Sequence, residues 1–180
     1  MIRLFAALSI PPEVGQMLAQ RQHGLPGARW RPLESLHITL RFFGEVSERV
    51  AEDLDLELER VAGAPLILAL AGVGAFDEAG DVHAVWAGVE ADANLAQLAR
   101  RCERAARQAG LTPERRAWRP HLTLAYLRRG EAARVASWMQ ANALLRSPAF
   151  RAEAFGLYSS WPGGEGTSYR LERSYPLRGG

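Results

Sequence analysis

Trp30-Arg31-Pro32, a short spacer and then His37-Ile38-Thr39-Leu40 is the stretch whose reading decides the fold. It returns in compressed form as Trp118-Arg119-Pro120-His121-Leu122-Thr123-Leu124, close to half of the 180-residue chain further on. A single His-x-Thr-Leu arises often by chance. Two copies, each behind Trp-Arg-Pro and each inside an apolar alternation, read as two halves of one active site. Along a strand, side chains at i and i+2 share a face. His37 and Thr39 therefore point one way, while Leu36, Ile38, Leu40 and Phe42 point into a core. His121 and Thr123 repeat the pattern, opposed to Leu122 and Leu124.

Outward from the first copy, residues 3–10 read as a strand stopped by Pro11-Pro12. Those prolines suit the first turn of a helix running to about Gln22. Gly24 to Ser35 has loop composition, and 36–43 alternate and end at Gly44. Ser47 caps a helix with an apolar stripe at Val50, Leu54, Leu58 and Val61. Gly63 and Pro65 end it, and Leu66–Val73 is a buried strand. The second half repeats the order. Val82–Val89 is a strand, Asp92 caps a helix to Gln108, and Gly110 stops it. The loop 111–117 leads to the strand of His121, and 131–142 form a helix with Val135, Trp138 and Met139 inward. Two last strands, about 149–158 and 168–176, flank a glycine-rich loop from Trp161 to Gly166. Each half is β-α-β-α-β with its His-x-Thr on the middle strand, an internal duplication by order of elements. No linker separates the halves, so 1–180 is one domain with halves of about 1–78 and 79–180.

The bulk properties are those of a packed globular chain, with 48% hydrophobic and 23% charged residues. A net charge of +2 excludes a polybasic nucleic-acid binder. All 22 basic residues are arginine and lysine is absent, which fits either a phosphate-handling surface or a coding bias. The one cysteine, Cys102, excludes an internal disulfide and a cysteine metal cage, and its helical register makes it a core residue. The apolar start is short, runs into Pro11-Pro12 and lacks a small-residue cleavage site. No apolar run is long enough to span a membrane. A soluble, cytoplasmic protein is expected.

If a pseudo-two-fold axis relates the halves, the polar faces meet across a cleft holding two imidazoles and two hydroxyls. Two histidines without a carboxylate or cysteine make a poor zinc site. Ser9, Ser35, Ser159 and Ser160 lack the strand-to-helix elbow of a hydrolase nucleophile. Two histidines do suit concerted acid–base work, one accepting a proton and one donating. Threonine hydroxyls suit phosphoryl oxygens where charge accumulates. His23, ending a helix, and His83, opening a strand, lack a threonine two residues on and read as structural. Arg41 shares the alternation face of His37 and Thr39, either as a phosphate contact or as a solvated strand-end charge. Phe43, on that same face, either stacks a base or packs at the lobe edge.

These residues resemble the two-histidine phosphoesterase superfamily, and within it the bacterial and archaeal RNA 2′,3′-cyclic phosphodiesterases, long called 2′-5′ RNA ligases. The resemblance runs through Arg3 to Leu8, Leu25 to Trp30, His37 to Glu45, Val85 to Val89, Arg119 to Ala125 and Leu157 to Ser160. It implies an α+β fold of two pseudo-symmetric lobes, with antiparallel sheets flanking a central cleft and helices outside. It further implies hydrolysis of an RNA terminal 2′,3′-cyclic phosphate to a 2′-phosphate, without metal or cofactor. His37 would be the proton donor, His121 the proton acceptor, and Thr39 and Thr123 the phosphate holders. Alternatives are the reverse reaction, a 2′-5′ ligation, and a module that binds RNA ends or nucleotides without turnover. RNA ends or nucleotides with a cyclic phosphate are the expected partners, with ATP or GTP as further candidates for the cleft and a monomer as the expected state. One departure stands out. Tyr126 occupies a place where relatives often carry arginine, so that Arg128 or Arg129 substitutes for it or Tyr126 itself contacts the nucleotide.

Overall fold

The computed structural model describes residues 1–163 and 166–179. Its elements run β1 Ile2–Ser9, α1 Pro12–Ala19, β2 Arg29–Trp30, a 3-10 turn Leu33–Ser35 and β3 His37–Val46. They continue with α2 Glu48–Glu59, β4 Leu66–Leu68, β5 Leu70–Glu78, β6 Asp81–Val89 and α3 Ala93–Gln108. The chain closes with β7 His121–Gly130, α4 Ala132–Ala141, β8 Phe150–Ala152, β9 Ala154–Gly163 and β10 Gly166–Pro176. The helix starts follow local chemistry. Ser47 Oγ accepts from the Val50 N–H at 3.3 Å, and Asp92 Oδ1 from that of Leu95 at 2.7 Å, each satisfying a donor that the first turn leaves open.

Two four-stranded antiparallel sheets, ordered β10-β9-β1-β3 and β2-β7-β6-β5, form an α+β fold, and β4 pairs with β8 in a separate two-stranded sheet. The expected strand Leu66–Val73 is broken at Ala69, because its first piece joins β8 and its second joins β6. Residues 24–35, expected as a loop, carry the short β2, which lies on β7. The glycine-rich loop is narrower than expected: strands reach Gly163 and restart at Gly166, while Gly164 and Glu165 lie outside the described residues.

The chain halves are not the lobes. The first half supplies β5 to the sheet of β6 and β7, and the second half supplies β9 and β10 to the sheet of β1 and β3. The divide expected near 78/79 falls beside the two-residue turn of the β5–β6 hairpin, between paired Glu78 and Asp81. There Ala79 and Gly80 take φ of 52° and 87°, the left-handed pair that a tight hairpin turn demands. Helices cross over too. α2 and α3 pack together, α3 on β3 and α2 on β10, whereas α4 lies on β5 and β6. Leu4, Leu8, Ile38, Leu40, Leu54, Leu95, Cys102, Leu122, Leu124 and Trp138 belong to one continuous apolar cluster. Among the described residues no helix is long and apolar enough to cross a membrane.

Candidate active site

β3 and β7 are neighbours across the junction of the sheets, and between them opens a cleft of ≈ 290 Å³. The β3 side contributes Ser35, His37, Thr39, Phe42 and Tyr169. The β7 side contributes Phe76, His83, His121, Thr123 and Tyr126, with Arg31 following β2 on β7 and Arg116 coming from the loop before β7. The two His-x-Thr pairs, distant in sequence, thus share one space.

Each imidazole is fixed in the same manner. His37 Nδ1 lies 2.8 Å from the Ser35 carbonyl, and His121 Nδ1 lies 2.7 Å from that of Arg119. A carbonyl can only accept, so Nδ1 carries hydrogen in both rings and Nε2 is left for the cleft. Aromatic packing holds the ring planes. Phe5 stacks on His37 at 4.8 Å and Tyr169 meets it edge-on at 5.1 Å. Phe76 meets His121 edge-on at 4.8 Å, with Trp86 6.0 Å away. Burial lowers the His37 pKa to about 4, against the pull of the Ser35 carbonyl, and the positive charge of Arg31, together with that of His121 when it is protonated, lowers it further. Burial also lowers that of His121, again opposed by its backbone hydrogen bond. Both rings are therefore neutral in the free protein at neutral pH.

The strict alternation expected after each motif fails at the same offset. β3 slips against β1 between Ala6↔Arg41 and Ala7↔Thr39, passing over Leu40. β7 slips against β6 between Val85↔Ala125 and Trp86↔Thr123, passing over Leu124. The extra residue turns the following side chains over. Phe42, expected in the core, is 55% exposed and lines the cleft, while Phe43, expected on the cleft face, is buried in the core. Tyr126 reaches the cleft by the same slip. An aromatic five residues after each histidine, Phe42 after His37 and Tyr126 after His121, was the signal available in the sequence.

Arg41 is not a free phosphate contact. Its Nε donates to Glu103 at 2.5 Å, Nη2 donates to the Thr112 carbonyl at 2.9 Å, and Glu114 stands 3.8 Å from Nη1. It serves instead to tie β3 to α3 and to the loop 112–116. Glu103 Oε1 also accepts from the Glu114 N–H at 3.2 Å, and Glu114 in turn from the Arg116 N–H at 3.0 Å, so this network sets the loop that brings Arg116 to the cleft. Arg128 is exposed and is not part of the cleft lining. His83, read as structural, lines the cleft with its ring 6.4 Å from Phe76 and nearly parallel to it. Arg31 and Tyr169 carried no site signal of their own, although Arg31 belongs to the repeated Trp-Arg-Pro. That tripeptide has a cross-bracing function. Trp118 Nε1 donates to the Thr39 carbonyl at 3.1 Å, and the Arg31 N–H donates to the Leu124 carbonyl at 2.8 Å, so each copy grips the other copy's histidine strand. Among the described residues no group of three or more His, Cys, Asp and Glu side chains gathers in metal-binding geometry.

The 2′-5′ RNA ligase superfamily matches residues 10–161, which include both His-x-Thr strands, and the chain belongs to that superfamily. Within it, the chain is 34% identical over 134 residues to an RNA 2′,3′-cyclic phosphodiesterase of Geobacillus stearothermophilus, covering 71% of this chain and 43% of the relative. A protein of the same description from Aeropyrum pernix is 38% identical over 96 residues, 53% of this chain and 54% of the relative. The chain thus spans about half the length of these two relatives. Escherichia coli LigT complexed with 3′-AMP superimposes with a TM-score of 0.81 at 26% identity, over 98% of both chains.

Proposed function

We propose that this protein hydrolyses 2′,3′-cyclic phosphates at RNA ends to 2′-phosphomonoesters. The observation that carries the proposal is the matched pair of imidazoles, each with Nδ1 on the carbonyl two residues before it and Nε2 turned to a common cleft. In-line displacement at phosphorus needs a base on one side and an acid on the other. His121 takes the proton of an attacking water whose oxygen forms the new bond to phosphorus. The bond from phosphorus to O3′ breaks, and His37 delivers a proton to that oxygen. Thr39 and Thr123 donate hydrogen bonds to the nonbridging oxygens as their charge grows. The assignment of donor and acceptor follows the family resemblance, since the two rings are held alike. A cyclic phosphate carries a negative charge, and its arrival beside His37 favours the imidazolium that burial disfavours in the free protein. The resemblance to the two-histidine phosphoesterases supports a reaction that needs no metal, so turnover is expected in the presence of a chelator. Nucleotides are further candidate ligands of the cleft, ATP or GTP among them; the relative LigT of Escherichia coli is known in complex with 3′-AMP and with ATP.

The test is hydrolysis of adenosine 2′,3′-cyclic monophosphate in chelator, with the phosphate position of the product identified. His37→Ala and His121→Ala are each expected to lower the rate by about 10²–10⁴-fold. Because kcat/KM reports the free protein, its bell-shaped pH profile has both limbs below 6.5, and each variant loses one limb. Turnover at the normal rate by either variant would sink the mechanism.

A further inference from the structure

We propose that Arg31 is the residue that grips the phosphate in this cleft, held between the rings of Tyr126 and Tyr169. The inference deepens the proposed function and rests on the cleft being a phosphate site. Arg41, the arginine suggested by strand alternation, is already bonded to Glu103 and the Thr112 carbonyl, and so is spent. Arg31 is in the opposite condition. Its guanidinium carbon lies 5.1 Å from the centre of the Tyr169 ring and 5.6 Å from that of Tyr126, a cation placed between two aromatic rings. Its backbone is pinned on both sides. The N–H donates to the Leu124 carbonyl at 2.8 Å, and the carbonyl accepts from Gln22 Nε2 at 2.8 Å. Its Nη2 is buried and has no hydrogen-bond partner among the described residues.

A buried guanidinium nitrogen without a partner is costly, since every N–H it carries has left water and gained nothing. The rings attract its charge and the Tyr169 hydroxyl lies within hydrogen-bonding reach of the guanidinium, but neither partners Nη2. An anion in the cleft can do so, and a phosphate offers the paired oxygens that match an arginine fork. The position also explains why the pinning is needed. Arg31 leaves a two-residue strand, and the bonds to Leu124 and Gln22 fix where its side chain departs. Tyr126, at the place where arginine was expected from the resemblance, becomes part of the platform for a guanidinium delivered from β2 instead. Neutralising Arg31 with an anion also removes a positive charge that opposes protonation of His37, so phosphate binding and loading of the acid are coupled.

The experiment measures binding of inorganic phosphate and of adenosine 2′-monophosphate by titration calorimetry, alongside cyclic-nucleotide turnover, in the full chain. Arg31→Met keeps the packing length and removes the charge. Arg31→Gln is a second charge-free variant if the first does not fold, as judged by thermal melting. Either is expected to weaken both ligands roughly 10- to 100-fold, the loss of a charge-assisted hydrogen bond. Adding Tyr126→Arg to the same variant places a guanidinium back beside Tyr169 and is expected to restore at least part of that loss. Affinity within threefold of the unaltered protein, or a loss that the restored charge does not recover, would overturn the proposal. If the unaltered protein binds phosphate through Arg31 but leaves the cyclic nucleotide intact, the hydrolytic reading falls and the role of Arg31 stands.

Discussion

The two histidines are alike in their hydrogen bonds and unlike in their depth, and the difference has a consequence for stability. His37 is sandwiched by Phe5 and Tyr169, and burial takes its pKa from 6.5 to about 4. In the unfolded chain the same ring titrates near its ordinary value. Between pH 6.5 and about 4 the unfolded state therefore binds more protons than the folded state, and stability rises with pH across that window. Below it, folding must carry the full cost of a buried imidazolium, on the order of 3 kcal/mol. Urea unfolding at pH 7 and pH 4.5 measures this. The unaltered protein is expected to lose more stability between the two than His37→Gln, which has no ring to protonate. Equal losses would mean that His37 is protonated in the folded state at no cost, and the ring would then be far better solvated than its neighbours allow.

At the scale of elements, what was legible in the sequence was whatever depends on local chemistry. Ser47 and Asp92 start their helices as their side chains dictate, and the apolar stripe of Leu54 and Leu58 is buried. His37 with Thr39, and His121 with Thr123, reach the cleft because two residues of unbroken strand separate them. The slips at Leu40 and Leu124 were not legible, since each depends on how β3 meets β1 and how β7 meets β6. That is why Phe42 and Phe43 exchange their expected places and Arg41 turns to Glu103. The β5–β6 pair adds a demand of the same non-local kind. Gly74 pairs with Trp86, whose indole lies across it and close to His121. A Cβ at residue 74 would stand 2.2 Å from that ring, so the indole must move or the strands must part. Gly74→Ala is expected to cost about 1–3 kcal/mol in chemical unfolding. Gly179→Ala, where an added Cβ meets nothing within 4 Å, is the control and should change stability by no more than about 0.5 kcal/mol. Equal behaviour of the two variants would show that Trp86 does not need the space above Gly74.

For the whole molecule, the duplication was readable from the order of elements but the exchange of strands was not. Order along the chain says which elements resemble each other; which edges they join is decided by packing in three dimensions. β1 pairs with β3 on one side and with β9 from the other half on the other side, while β6 pairs with β7 and with β5. Side-chain ties cross the divide as well. The Tyr175 hydroxyl on β10 donates to Asp55 of α2 at 2.6 Å, Arg173 donates to the same carboxylate at 3.0 Å, and Trp138 Nε1 of α4 donates to the Arg21 carbonyl at 3.3 Å. Cutting between Glu78 and Ala79 severs a single peptide bond at a hairpin turn, yet it separates β5 from the strand it pairs with and β1 from β9. The piece 1–78 then keeps β1 and β3 as a bare two-stranded ribbon, too small to be stable alone. The piece 79–180 keeps β6 and β7 without their covering strand, and β9 and β10 without the sheet they complete. Neither piece is expected to give a cooperative unfolding transition by itself. Mixed in equal amounts, they are expected to regain near-ultraviolet circular dichroism and the phosphate binding of the intact chain, because every lost pairing is available between them. A cooperative transition in either piece alone would show that the sequence halves are folding units after all, and that the exchanged strands are an ornament on two finished lobes rather than the means of closing the cleft.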